Sequence, residues 1–174
     1  LINTVTYEQL SRLTDWHFTP AAQRHALAQI VNGMRQLDIS SVWGSGKTSS
    51  SDGQRFRLQK QVLQQTWSQR MNDYALEFYT FIADNYAPFY STVIECHDRD
   101  AAHVLDGLLY NESDLLLEEH FTDTHGYTDI NFAAFAMLGR RFSPRIRGIQ
   151  HQRIYRLNDD YDYGKLTPLV ARPD

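Results

Sequence analysis

The stretch GSGKTSSSDGQRF, residues 44–56, carries two competing readings, and the fold follows from the choice between them. Its first half contains Gly46-Lys47-Thr48, the closing residues of a phosphate-binding loop; its second half sets Asp52 in a run of small polar residues. A phosphate-binding loop needs G-x-x-x-x-G-K-[ST] between a buried strand and a helix. The position of its first glycine is held here by Ser41. The residues after Thr48, Ser-Ser-Ser-Asp-Gly, are poor helix formers, so no helix N-terminus follows to face a phosphate. The preceding QLDISSVW is not a strong apolar strand. The nucleotide reading fails, and the interest moves to Asp52.

Composition sets the frame. A chain of 174 residues, 42% hydrophobic and 22% charged, has enough apolar material for one packed domain. The single Cys96 allows no internal disulfide and no cysteine-built zinc site, which suits a reducing compartment. No apolar run approaches the ~20 residues that span a bilayer, so no membrane partner is expected. The sequence begins at Leu1 without a signal-peptide pattern and stops at LVARPD, which reads as a piece of a longer protein.

The net charge of −4 hides a sorting along the chain. Glu95–Asp123 holds nine acidic residues against Arg99 alone, a local −8. Gly139–Leu157 holds six arginines and no acid, and Asp52–Arg70 carries a net +3. An acidic centre between basic flanks suits a cation-holding site whose rim holds a polyanion; a solvated surface of uneven charge is the plainer reading.

Residues 1–38 read as a helical lead-in, with Thr19 as N-cap, Pro20 at the first helical position and an apolar stripe of Ala26, Leu27, Ile30, Val31 and Met34. Residues 39–157 form the core and 158–174 a polar tail. Within the core, a strand with an irregular start (47–58) precedes a Gln-rich polar stretch, Gln59–Asn72. Two strands follow, LEFYTFI and YSTVIEC, joined by a turn at NYAPF. RDAAHVLDGLLYN has helical spacing, DLLLEEHFTD contains a fourth strand, and YTDINFAAFAMLG is a helix from Thr128 to Gly139 with Phe132, Phe135, Met137 and Leu138 as core. QRIYRL makes a fifth strand. Three strands, helix, strand, helix, strand imply an α/β fold with a mixed sheet and flanking helices. That is the strand order of the ribonuclease H-like fold.

Asp52 and Asp123 each have a local explanation. Asp52-Gly53 is a hairpin-turn signal, and Asp123 stands where a helix cap belongs. On strands one and four, neighbours in such a sheet, they also form a pair of repelling carboxylates that a divalent cation relieves. Two ions held this way can assist an in-line displacement at phosphorus.

The strings WGSGKTSSSDGQRF, STVIECHDRDAAHVLDGLLYN and TDTHGYTDINFAAFAMLGRRFSPRIR, with the lead-in LTDWHF and ALAQIVNGMRQ, resemble the catalytic region of the Tn-three family of replicative DDE transposases. The resemblance runs over nearly all of residues 1–157. It implies a bacterial transposase, cytoplasmic and nucleoid-associated, that binds transposon inverted repeats, nicks the 3′ ends and joins them to target DNA. It implies magnesium or manganese on an Asp-Asp-Glu triad whose first members fall on Asp52 and Asp123, 71 residues apart. The third member is missing: the acids after Asp123 are Asp129, Asp159, Asp160, Asp162 and Asp174, with no Glu. The fragment alone is therefore expected to be inactive and to bind metal weakly, and self-association is expected of the full-length protein.

Around this pair, Gln54 can orient the loop and Arg55 can touch phosphate. His125 is expected to support Asp123, with capping as its plainer role. Arg140, Arg141, Arg145 and Arg147 fit phosphate contacts, since a guanidinium binds phosphate with a two-pronged fork. Lys60, Trp67 and Arg70 can reach DNA from the polar stretch. The alternative is a non-catalytic DNA-binding or assembly module that keeps the fold.

Overall fold

A computed structural model of the chain describes residues 5–59, 62–155 and 161–170. Three helices lead, α1 (Tyr7–His17), α2 (Pro20–Arg35) and α3 (Asp38–Trp43). Strands β1 (Thr48–Arg57), β2 (Thr66–Ser68), β3 (Asp73–Ala83) and β4 (Pro88–Ile94) follow. A 3-10 turn (Asp100–Ala102), α4 (Asp106–Leu109), β5 (Glu119–Thr122), a second 3-10 turn (Thr124–Gly126), α5 (Asp129–Met137) and β6 (Arg141–Phe142) complete the core. No described helix is long and apolar enough to cross a membrane.

The sheet runs β4–β3–β1–β5–β6, with β1, β3 and β4 antiparallel and β1, β5 and β6 parallel. This mixed sheet with flanking helices is the ribonuclease H-like architecture. Alternation along β3 explains its layering. Ala75, Glu77, Tyr79, Phe81 and Ala83 are buried, and the intervening Tyr74, Phe78 and Ile82 are exposed. The buried face packs on Val31 of α2, Val104, Leu108 of α4 and Phe135 of α5. Phe81 sits at the centre with its ring fully buried, an apolar transfer of about 2–3 kcal/mol. Phe56, Phe78, Ile82 and Phe121 lie exposed on the opposite face.

Thr19 caps α2 by accepting from the Ala22 N–H, and Thr128 caps α5 by accepting from Asn131, as the sequence predicts. Other elements differ. The lead-in helices continue through α3 to Trp43, and α2 sends Val31 into the core. The stretch predicted as a helix over 99–111 is mostly tight turns. Its bonds span three residues (His103 N–H to Asp100, Asp106 N–H to His103), and this winding still buries Ala101, Val104 and Leu108. The Gln-rich stretch holds β2, which fills the edge of β3 at Asp73–Ala75 that β4 leaves open; Trp67 packs edge-on against Tyr74. QRIYRL is not the last strand. Amides of Arg141, Ser143 and Arg145 already bond the carbonyls of Glu118, His120 and Thr122, so the edge of β5 is filled before QRIYRL arrives. Within it, Ile154 makes only a bridge to Val170, and Arg156 and Leu157 lie outside the described residues. In α5, Asn131 and Phe135 are buried, whereas Phe132, Met137 and Leu138 are exposed, because a helix apolar on every side can turn only one side inward.

The GSGKT string folds as an anion nest, and the anion is the protein's own. Asp84 accepts from the backbone N–H groups of Ser45 (3.2 Å) and Gly46 (2.6 Å) and from the Thr48 hydroxyl (3.1 Å). Gly44 is required because a Cβ there would stand 2.4 Å from the Asp84 Cγ. Lys47 points away, to Glu118 at 2.7 Å. Mg-ATP should therefore leave the melting temperature unchanged in differential scanning calorimetry. Asp84→Ala, which orphans these donors, should lower stability by about 2–3 kcal/mol and the melting temperature by roughly 5–10 °C.

Candidate active site

The last parallel rung between β1 and β5 pairs Ser51 with Thr122, both buried. The next residue on each chain is an exposed aspartate, Asp52 and Asp123, so a single pairing brings the two to one end of the sheet. Asp52 is inside β1, paired with Thr80, and is not in a hairpin turn. Its Oδ1 accepts from the Gly53 N–H at 2.9 Å. Asp123 does cap: Oδ1 accepts from the His125 N–H (2.9 Å) and the Gly126 N–H (3.3 Å), while Oδ2 meets His125 Nδ1 at 3.0 Å. Capping fixes this carboxylate without removing it from solvent.

Both aspartates line a pocket of about 750 Å³ with Gln54, Arg55, Asp100 and His125. Ligand atoms of Asp100, Asp123 and His125 all lie within 4.8 Å of one another. Three donors at that spacing, two of them carboxylate oxygens, suit a hard divalent cation. Asp52 stands in the same pocket outside this group of three.

Beneath them lies Glu77, a buried carboxylate paired with Arg55 at 2.7 Å. Gly53 makes room for it, since a Cβ there would fall 2.2 Å from Glu77 Oε1. Burial holds the Asp100 carboxyl above its usual range. The charges of Glu77 and Asp123 push the same way, against His125 and Arg55. Five carboxylates thus share the pocket with Arg55, Arg70 and Arg99, and the repulsion around Asp100 is a condition a cation relieves.

The basic residues divide. Arg55 lines the pocket but commits its Nε to Glu77. Arg140 reaches the Leu117 carbonyl, and Arg141 pairs with Glu119 at 3.3 Å while staying largely exposed. Arg145 and Arg147 are exposed and make no ion pair among the described residues. The Arg145 N–H bonds the Thr122 carbonyl at 2.8 Å, which places this arginine beside Asp123. Arg70 lines the pocket, Trp67 is exposed on β2, and Lys60 lies outside the described residues.

Sequence reasoning missed Asp100 and Glu77. Asp100 was hidden in a segment read as an ordinary helix, although its acidic surroundings were visible. Glu77 had a clearer signal: the period of LEFYTFI sets it on the face of Tyr79 and Phe81, where an unpaired charge is costly.

Fold and site together define a ribonuclease H-like domain with acidic residues gathered at the ends of two adjacent strands. Residues 1–173 match the family described as the Tn3 transposase DDE domain. The chain is 44% identical over 171 residues to the transposase of transposon Tn501 from Pseudomonas aeruginosa, covering 96% of this chain and 17% of that protein. It is 41% identical over 170 residues to the Tn21 transposase of Escherichia coli (95% and 17%). It is 30% identical over 171 residues to the gamma-delta transposase of Escherichia coli strain K12 (97% and 17%). The chain belongs to the Tn3 transposase DDE domain family and spans 17% of the length of these relatives.

A carboxyl whose folded pKa is raised holds its proton more tightly in the native state. The native state then loses stability as pH rises from the ordinary carboxylate value of 3.8 through the folded one. Asp100→Asn should therefore raise the melting temperature at pH 7, and the gain should vanish below the ordinary value. Arg55→Ala should cost about 3 kcal/mol in urea unfolding by stranding Glu77, and adding Glu77→Gln should recover part of it.

Proposed function

We propose that this domain supplies the first two carboxylates of a transposase centre that nicks transposon 3′ ends and joins them to target DNA in replicative transposition. The convergence of Asp52, Asp123 and Asp100 in one pocket beside Arg145 carries the reading. Asp52 and Asp123 would hold a magnesium or manganese ion, with Asp100 and His125 as further donors on the Asp123 side. When bound, the ion supplies charge neutralisation for a reacting phosphate and lowers the pKa of an attacking hydroxyl.

The chain's own residues have separable tasks. Asp123 is oriented by its bonds to the Gly126 amide and His125, so it presents a fixed carboxylate. Gln54, next to Gly53 on β1, lines the pocket as a neutral donor that can contact a DNA phosphate oxygen. Arg145 and Arg147 bind the DNA backbone at the rim through charge, without reading bases. Arg55 neutralises Glu77 and keeps the floor of the pocket from adding another free charge.

The triad needs a third carboxylate, and no Glu follows Asp123 in this sequence. Catalysis therefore belongs to the whole protein, as does its proposed self-association. Metal binding tests this domain alone. Isothermal titration with Mn²⁺ should show binding that Asp52→Ala or Asp123→Ala weakens tenfold or more. Saturating Mn²⁺ should raise the wild-type melting temperature through linkage and leave the variants unmoved. Unchanged binding in both variants would leave the non-catalytic assembly module as the better account.

A further inference from the structure

One buried polar array has no part in the chemistry above. His120 on β5 is fully buried, its ring stacked between Phe81 (5.5 Å between centroids, 27°) and Phe135 (5.8 Å, 18°). Both ring nitrogens are occupied. Nδ1 lies 2.8 Å from Ser49 Oγ, and Nε2 lies 2.9 Å from Ser51 Oγ. Ser51 Oγ is also 2.8 Å from the Tyr79 hydroxyl. These contacts tie β5 to β1 and, through Tyr79, to β3.

A single placement of protons satisfies every member. Ser49 donates to the Glu119 carbonyl (3.5 Å), so its oxygen accepts from His120 Nδ1–H. The bare Nε2 then accepts from the Ser51 hydroxyl, whose oxygen accepts from Tyr79. Burial pushes His120 down to about 4 and raises Tyr79 above its ordinary value, so the array stays neutral around pH 7. A neutral imidazole offers a donor and an acceptor on opposite edges of a flat ring that also stacks.

The location gives the array its consequence. Ser51 immediately precedes Asp52, and His120 stands three residues before Asp123. Apolar packing tolerates sliding, whereas hydrogen bonds of this length fix direction and register. A one-residue slip of β1 against β5 would move one aspartate past the other by about 3.3 Å.

We propose that His120 is a positioning residue, a polar clamp that locks the parallel register of β1 and β5 and so sets the placement of Asp52 against Asp123. This rests on the reading of those aspartates as a metal-holding pair. His120→Phe alone would strand two serines in the core, so the informative variant is Ser49→Ala/Ser51→Ala/His120→Phe, made in a Tyr79→Phe background so that the tyrosine hydroxyl is not stranded either. It removes every partner together and leaves an apolar, stacking core.

Isothermal titration with Mn²⁺ and amide hydrogen exchange on the same chain test the clamp. The combined variant should melt within a few degrees of the wild type yet bind Mn²⁺ roughly 10- to 100-fold more weakly. His120→Gln, which keeps a donor and an acceptor, should stay within about threefold. Exchange should quicken at residues 51–53 and 120–125 and stay unchanged in β4. A folded combined variant with wild-type Mn²⁺ affinity overturns the proposal and makes His120 a packing residue only. Should the combined variant not fold, Ser51→Ala carries the test, with weaker Mn²⁺ binding expected and unchanged binding overturning the clamp. A wild-type chain that binds no Mn²⁺ overturns the metal reading instead. The clamp is then decided by exchange, and unchanged protection at those residues defeats it.

Discussion

The parallel pairing of β1 with β5 is the constraint on which the rest depends. Four rungs, Thr48–Glu119 to Ser51–Thr122, carry two acids 71 residues apart in sequence to one end of one sheet. Parallel strands cannot be joined by a tight turn, so everything between them must serve as the crossover. Here the crossover contains β2, β3, β4, the tight turns and α4, and its own pairing to β1 is antiparallel. That β3 packs between β4 and β1 makes the crossover part of the sheet itself, so the pairing is supported on both sides.

Once the aspartates are adjacent, electrostatics governs the pocket. Glu77 would be an intolerable neighbour if it were free, and its ion pair with Arg55 removes most of that penalty. Asp100 has no such ion pair among the described residues, and its pKa is raised by burial first and then by the charges of Glu77 and Asp123, with His125 and Arg55 opposing. A divalent cation of the kind proposed above would relieve this crowding, and its binding to the folded state would add stability by linkage. The arginines after β6 lie outside the pocket lining, whereas Arg55, Arg70 and Arg99 line it together with the acids.

Much of this was legible in the sequence, and the remainder was illegible for physical reasons. Strands and caps could be read because they depend on neighbours in the chain: Thr19, Thr128 and the strand LEFYTFI each stand where expected. The last strand was misplaced because a strand of two residues has no periodicity. Only the open edge of β5 selects Arg141–Phe142 over QRIYRL. The segment at 99–111 shows apolar spacing that 3-10 turns and an α-helix share, so spacing could not separate them. Asp52 and Asp123 were nominated from their places on neighbouring strands and then from resemblance to a family. Asp100 could not be nominated in this way, since its closeness to Asp123 is a tertiary approach that local pattern does not encode.

The two halves of GSGKTSSSDGQRF are connected by more than sequence. Asp84, held by the Ser45 and Gly46 amides, also bonds the Thr48 carbonyl through its own N–H at 2.9 Å. That contact pins the first residue of β1 to the end of β3 and fixes where the strand starts. The five residues from Thr48 to Asp52 are restrained further, because Ser49 and Ser51 are held by His120 on β5. A loop with the geometry of a phosphate cradle therefore bears on the proposed site only at one remove. It spends its amides on an internal carboxylate and so anchors the start of the strand that carries Asp52.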